Sequence, residues 1–489
     1  LRDEAEATVL PDAEETAQRG RRRARQRTMA TVTAACLAVL ATLALSVAVL
    51  RGPGREEPPP AATPTASPIA FRKPTRVGSY DVRLPGLTMT AVADGRGVFS
   101  WFDGGTIAVG ALDLTTGRAA WPLRTIPEKF GDWMGMTVTP NAIITIGERD
   151  NGNQPDKEMY AIDPATGAIR WHRGMDVNGY DILLTRDLVI LADHERRTTV
   201  AVDIVTGRER WTNVSPTAIA ATEGTRTAAD LTGPATHGRG SAFGPLVGSD
   251  VFYQLTTDGL LTERVVTTGQ ATGRAWGGVP LPADQQPTTY LAYEGSLYIT
   301  DHSDLRRLDF ATGGVVTLQH SPYWMHDAAP CGGTTMCVLE RGAADPTSRL
   351  LILHHARDRN RVEGFTEIRV DLQADADLII PMEPLFLVRT QSTIAGGATT
   401  WRLFDPQQGE RPFPHAQAEY VKVDGGNLLG FESTGTDGDF RTGRLYGVNL
   451  ATMTWNDLGA ITTGAFGPAT DGVHVLTATP EGFVLYRIA

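Results

Sequence analysis

One eleven-residue pattern recurs along this chain and limits what it can fold into. The segments Ala111-Leu-Asp113-Leu-Thr-Thr-Gly117-Arg-Ala-Ala-Trp121, Ala161-Ile-Asp163-Pro-Ala-Thr-Gly167-Ala-Ile-Arg-Trp171 and Ala201-Val-Asp203-Ile-Val-Thr-Gly207-Arg-Glu-Arg-Trp211 align without a gap. Weaker copies follow at Thr267-Thr-Gly-Gln-Ala-Thr-Gly273-Arg-Ala-Trp276, Arg307-Leu-Asp309-Phe-Ala-Thr-Gly313, Leu403-Phe-Asp405-Pro-Gln-Gln-Gly409 and Val448-Asn449-Leu-Ala-Thr-Met-Thr-Trp455. Adjacent copies lie 40 or 50 residues apart, and the doubled gap from Asp309 to Asp405 leaves room for one degenerate copy around His355 to Arg361. Self-similarity at such a period marks a repeat architecture.

Each residue of the pattern has a physical task. An alternating apolar strand runs into Asp, whose carboxylate accepts hydrogen bonds from the backbone of a short turn, with Thr in support. Gly supplies the φ > 0 that closes the turn without steric cost. A second strand then ends on Trp, a large apolar surface for packing one small sheet on the next. Between Trp121 and Asp163 lie Gly135-Met-Thr-Val-Thr, Asn141-Ala-Ile-Ile-Thr-Ile-Gly and Met159-Tyr-Ala-Ile, three short β-branched runs separated by turn signals. The next unit repeats the arrangement. Four-stranded sheets of this size are unstable alone, and stacking them in a ring buries their faces and protects their edges. The expected fold is all-β, a β-propeller of about eight four-stranded blades, with seven or nine also open.

The Ala-hydrophobic-Asp-x-x-Thr-Gly-x-x-x-Trp element resembles the repeat of the pyrroloquinoline-quinone-like (PQQ-like) β-propellers. That family includes quinoprotein alcohol dehydrogenases and the propeller lipoprotein of the bacterial outer-membrane assembly machine. The likeness covers roughly residues 79–489 and is strongest in the first three copies. It implies ring closure by an N-terminal strand completing the last blade. Tyr80-Asp-Val-Arg-Leu fits that role, because the final segment, Gly472-Val-His-Val-Leu-Thr-Ala-Thr-Pro-Glu-Gly-Phe-Val-Leu-Tyr-Arg-Ile, lacks a last strand. The Gly/Thr/Ala stretch over 218–248 reads as an inserted loop.

Residues 29–50 carry no charge and are almost all Ala, Val, Leu or Thr. As a helix they rise about 33 Å, enough for a hydrocarbon core of about 30 Å. Arg19, Arg21, Arg22, Arg23, Arg25 and Arg27 precede them. The positive-inside rule then keeps the N-terminus cytoplasmic and sends the propeller outward. A cleaved signal peptide is the rival reading, with Ser46-Val-Ala48 as its cleavage site. The expected organisation is therefore an Arg-rich cytoplasmic tail (1–28), one transmembrane helix (29–50), a Pro-rich linker (51–78) and the propeller (79–489). The partner expected at the N-terminal side is the cytoplasmic membrane, through residues 29–50.

The net charge of −11 argues against a nucleic-acid partner. Lys is confined to positions 73, 129, 157 and 422 while Arg is common, which together with the Ala, Gly and Pro content suggests a GC-rich genome such as an actinomycete's. Of the three cysteines, Cys331 and Cys337 form a close pair that reads as a local disulfide in an exported domain, with two free thiols as the alternative.

No catalytic, cofactor or metal set is identified in the sequence. The histidines are scattered, Asp437-Gly-Asp439 lacks the downstream glutamate of a calcium loop and reads as a hairpin tip, and no nucleophile elbow or Walker loop is present. The recurring Asp113, Gly117, Trp121, Asp163, Gly167, Trp171, Asp203, Gly207 and Trp211 read as structural. The family's enzymes imply a calcium-held quinone, often with adjacent cysteines, and that ligand set has no match here residue by residue. The leading expectation is a non-enzymatic binding or scaffolding protein of the cell envelope, holding a protein or small ligand at a propeller face. A PQQ-dependent dehydrogenase and a transmembrane sensor are the alternatives.

Overall fold

The computed structural model describes residues 68–84, 87–149, 156–175, 182–193, 198–214, 218–222, 246–247, 250–256, 258–280, 289–293, 295–300, 304–320, 323–332, 335–342, 348–355, 362–370, 374–382, 385–392, 399–405, 409–424 and 426–489. The tail, the apolar span 29–50 and most of the linker lie outside the described residues. Among those described, no helix is long and apolar enough to cross a membrane.

The described strands form nine small sheets, antiparallel except for one short parallel pair in blade 3. Blade 1 comprises Thr88–Ala93, Arg96–Asp103, Thr106–Asp113 and Arg124–Thr125; blade 2 comprises Asp132–Val138, Ile143–Arg149, Asp156–Ile162 and Ile169–Met175. Blades 3 to 8 follow in chain order. Blade 9 takes Ala469–Thr470, His474–Thr479 and Gly482–Arg487 from the C-terminal end and Thr75–Asp81 from the N-terminal end. Apolar clusters fill the seams, and blade 9 packs on both blade 8 and blade 1, so the ring closes. The nine sheets stand at the upper end of the expected range rather than at eight. Eight sheets of consecutive strands and one built from both chain ends account for all nine; the degenerate copy expected around His355 to Arg361 lies, beyond His355, outside the described residues.

The closing strand pairs Thr75 with Arg487 through Asp81 with Gly482. It begins four residues before the expected boundary at 79. Residues ahead of it also belong to the ring, since Phe71 is buried against Leu429, Phe431 and Leu445. The insertion expected over 218–248 contributes two described strands. Ala218–Thr222 is the first strand of blade 4, and Leu246–Val247 pairs in parallel with Leu184 and Thr185 on the free edge of blade 3's first strand. First strands line the centre of such a ring, so this short strand lies on the inner side. The Asp437-Gly-Asp439 segment is a hairpin tip, with Asp437 paired to Phe440 and Gly438 at φ +59°.

Candidate functional site

The repeat residues come together at the seams between blades. In each strong copy the Asp carboxylate gathers the turn. Asp203 Oδ1 accepts from the Thr206 backbone N–H (2.7 Å), the Thr206 hydroxyl (2.8 Å) and the Val205 N–H (3.1 Å). Its other oxygen takes the Arg210 guanidinium. Burial pushes the Asp203 carboxyl up, but the Thr206 bonds and Arg210 outweigh it and hold the carboxyl below its ordinary value. Asp163 and Asp309 behave alike, and exposed Asp113 is lowered chiefly by the Thr116 N–H.

In blades 2 to 5 the Gly that closes the turn is covered by the Trp of the preceding blade. Gly207 has φ +70°, and a Cβ there would lie 2.5 Å from Trp171 Cγ and 2.8 Å from its Cβ. Gly167 meets Trp121 in the same way, and Gly269 meets Trp211. The indole N–H then donates to the next blade's turn. Trp121 reaches Pro164 O (3.1 Å), Trp171 reaches Ile204 O (3.0 Å), Trp211 reaches Val266 O (2.9 Å) and Trp276 reaches Phe310 O (3.2 Å). Turn, Gly and Trp thus form a lock at the four seams from blade 1 to blade 5, with an Asp in the turn at all but that of blade 4, and their chemistry is used up in holding those blades together.

Two copies are phased differently from the sequence alignment. In blade 4 the turn glycine is Gly269, with Val265 at the Asp position, while Gly273 lies in the following strand. In blade 8 Met453 takes the glycine position at φ +51°, and Trp455 stands opposite Val448, one residue before Asn449, whereas Trp171 and Trp211 stand opposite Ala161 and Ala201, two residues before their Asp. One step along a strand reverses the face. Trp455 accordingly packs with Phe413 and Tyr420 in the seam toward blade 7.

Cys337 is fully buried and disulfide-bonded. Cys331 falls at the bulge between Pro330 and Gly332 on the adjoining strand, two residues after Ala329, which pairs with Cys337. The side chain of Cys331 lies outside the described residues.

Two polar clusters lie off the repeat, toward the end of the ring opposite the Asp turns. In blade 2 the buried Glu158 carboxylate takes Arg149 on one oxygen and His172 Nδ1 on the other (2.5 Å). The His172 ring stacks on Tyr160 at 5.4 Å. Burial, then the Glu128 carboxylate, pushes the Tyr160 hydroxyl well above its ordinary value. At the seam of blades 7 and 8, His415 Nδ1 lies 3.0 Å from Glu432 Oε2, which also accepts from Tyr446 Oη (3.1 Å). The His415 ring stacks on Tyr446 at 4.0 Å, and its backbone is held at φ +56°. Tyr420 Oη donates to the His415 carbonyl (3.0 Å). Both clusters escape sequence reading because their members come from different strands. Only the Glu158-x-Tyr160 alternation hints at a shared face.

Among the described residues no three His, Cys, Asp or Glu side chains are placed to hold a metal ion. The repeat tryptophans are engaged in seams. The described residues therefore present no ligand set for a calcium-held quinone.

The fold is a β-propeller whose early blades carry the PQQ-like repeat. Residues 103–276 match the PQQ-type family model described as outer membrane protein assembly factor BamB. No curated protein matches the sequence. Solved structures similar to the chain include BamB from Moraxella catarrhalis (14% identity, 84% of this chain and 97% of that one, TM-score 0.39). Another is the dihydro-heme d1 dehydrogenase NirN in complex with DHE (12%, 85% and 83%, 0.44). A third is a eukaryotic initiation factor (11%, 81% and 92%, 0.47).

Proposed function

We propose that this chain is a membrane-anchored, extracytoplasmic propeller that serves the cell envelope as a non-enzymatic binding or scaffolding protein. One observation carries the reading. The repeat residues are consumed in seam locks, whereas the off-repeat polar clusters around Glu158–His172 and Glu432–His415 lie toward the other end of the ring. A rigid ring with polar groups gathered at one end suits capture of a partner. The match of residues 103–276 to a model named for outer-membrane assembly supports an envelope role. The six arginines ahead of the apolar span support the anchor and its direction.

The test uses the full chain in its own membrane. Chemical cross-linking should recover a partner, and Glu158→Gln with Glu432→Gln should reduce its yield while the protein stays folded and abundant. Protease added to intact cells should digest the propeller and spare residues 1–28. Enzyme-like turnover by the purified protein, or digestion only after lysis, would sink the proposal.

A further inference from the structure

The ring is held differently at its closure than at its strong seams. Blade 9 has no turn between third and fourth strands, because those strands come from opposite ends of the chain. Trp455 of blade 8 therefore has no turn glycine to cover, and it faces the other seam.

The vacant place is taken by the residues leading into the closing strand. Phe71 packs flat on Gly447, where any Cβ would collide with its ring, and joins Leu429, Phe431, Leu445 and Val475. The Ile69 N–H donates to buried Asn427 Oδ1 (3.1 Å), and the Arg72 N–H to Ile488 O (2.6 Å). On the other side, Val77 and Gly78 press their backbone onto Gly117, the first turn glycine, where later blades use a Trp. Residues 69–81 thus span both seams of blade 9.

This segment holds those seams with little burial. Of residues 68–83 only Phe71 is buried, and every residue of Thr75–Asp81 is half-buried or exposed, with a bulge between Arg76 and Gly78. Outer strands of other blades, such as Ile169–Met175, are similarly exposed, but each follows directly from the third strand of its own blade, whereas Thr75–Asp81 is joined to Gly482–Arg487 by pairing alone. Segments with few buried apolar contacts open at lower free energy than the rest of a fold.

We infer that residues 69–81 are a detachable clasp, which leaves as a unit while the other strands of the ring stay folded. Its departure bares the backbone edge of Gly482–Arg487. An open sheet edge accepts an extended strand from another chain through main-chain hydrogen bonds. The partner class is an extended peptide with apolar residues at the places of Phe71 and Val77.

Hydrogen exchange on the full-length protein tests this directly. Amides of Thr75–Asp81 should exchange faster than those of Ile143–Arg149, under conditions in which the latter stay protected. Phe71→Ala should raise exchange across the clasp about a hundredfold or more, since loss of a buried Phe typically costs well over two decades in an equilibrium constant. The seam of blades 2 and 3 should not respond. A labelled peptide of residues 68–84 should bind the variant more tightly than the native protein, and a scrambled peptide should not bind. The milder Ile69→Ala serves the same comparison if Phe71→Ala does not fold. Clasp amides that exchange only with the slowest core amides overturn the inference. So does an equal rise in all blades, or equal binding of the scrambled peptide.

Discussion

Gly207→Ala probes the seam lock with a single methyl group. The new Cβ meets two costs worked from the structure. First, φ of +70° is left-handed for an L-residue, which costs about 1–2 kcal/mol. Second, the methyl would stand 2.5 Å from Trp171 Cγ, so the indole must move. Overpacking of this kind costs roughly 1–3 kcal/mol. Displacing the ring also stretches its 3.0 Å bond to Ile204 O, a further loss of about 0.5–1.5 kcal/mol. The sum is about 2.5–6.5 kcal/mol, a large share of the roughly 5–15 kcal/mol by which a domain is stable. Gly174→Ala is the control, since a Cβ there meets nothing within 4 Å and its φ is ordinary. The assay is urea unfolding followed by tryptophan fluorescence, with hydrogen exchange locating the damage at residues 169–175 and 203–209. A double-mutant cycle with Trp171→Ala should recover much of the Gly207 penalty, because the small side chain leaves room for the methyl. If Gly207→Ala stays within about 0.5 kcal/mol of wild type, or if Gly174→Ala is as harmful, the lock is not what holds the seam.

Three further outcomes are expected. The Asp203 carboxyl is depressed in the folded state, so its stabilisation is present above the unfolded value of about 3.9 and fades as pH falls through the lower folded value; Asp203→Asn should flatten stability against pH in that acid range, and an unchanged slope would count against the carboxylate's part in the turn. Trp171→Phe keeps an apolar ring but removes the donor to Ile204 O, and should cost about 0.5–1.5 kcal/mol plus a smaller packing loss, read by the same urea titration. With Cys331 as the partner the sequence reading expects, Cys337→Ala should lower stability by about 2 kcal/mol, the loop-closure value for a link as short as 331–337, and reductant should then have no further effect.

Much of the fold was legible because the repeat writes its own turns. Asp203, Thr206 and Gly207 need only local backbone geometry, and the Asp bonds and the positive φ lie where the spacing places them. The role of Trp171 was legible only in part. The sequence marks it as packing surface, but that it covers Gly207 of the next blade depends on the rotation between two sheets. Trp455 shows the limit more sharply. Its shorter spacing from Asn449 reverses its face, and its place at the closing seam passes to Phe71, a residue the linker composition gave no reason to single out. The polar clusters were not legible, since Glu432, Tyr446 and His415 lie on separate strands and a connecting loop, and register alone brings them together.

Turn chemistry and strand alternation are local properties, so the residues alone set the repeating unit and the all-β class, while closure by both chain ends was what the family resemblance implied. Tertiary structure decided that the ring takes nine sheets, that each indole serves the neighbouring blade, and that residues 69–81 hold the closure with little burial. Those outcomes depend on how sheets pack face to face, which strand patterning leaves open. A pattern at fixed spacing specifies a blade, and only packing decides how many blades close a ring and what fills the seam where the pattern ends.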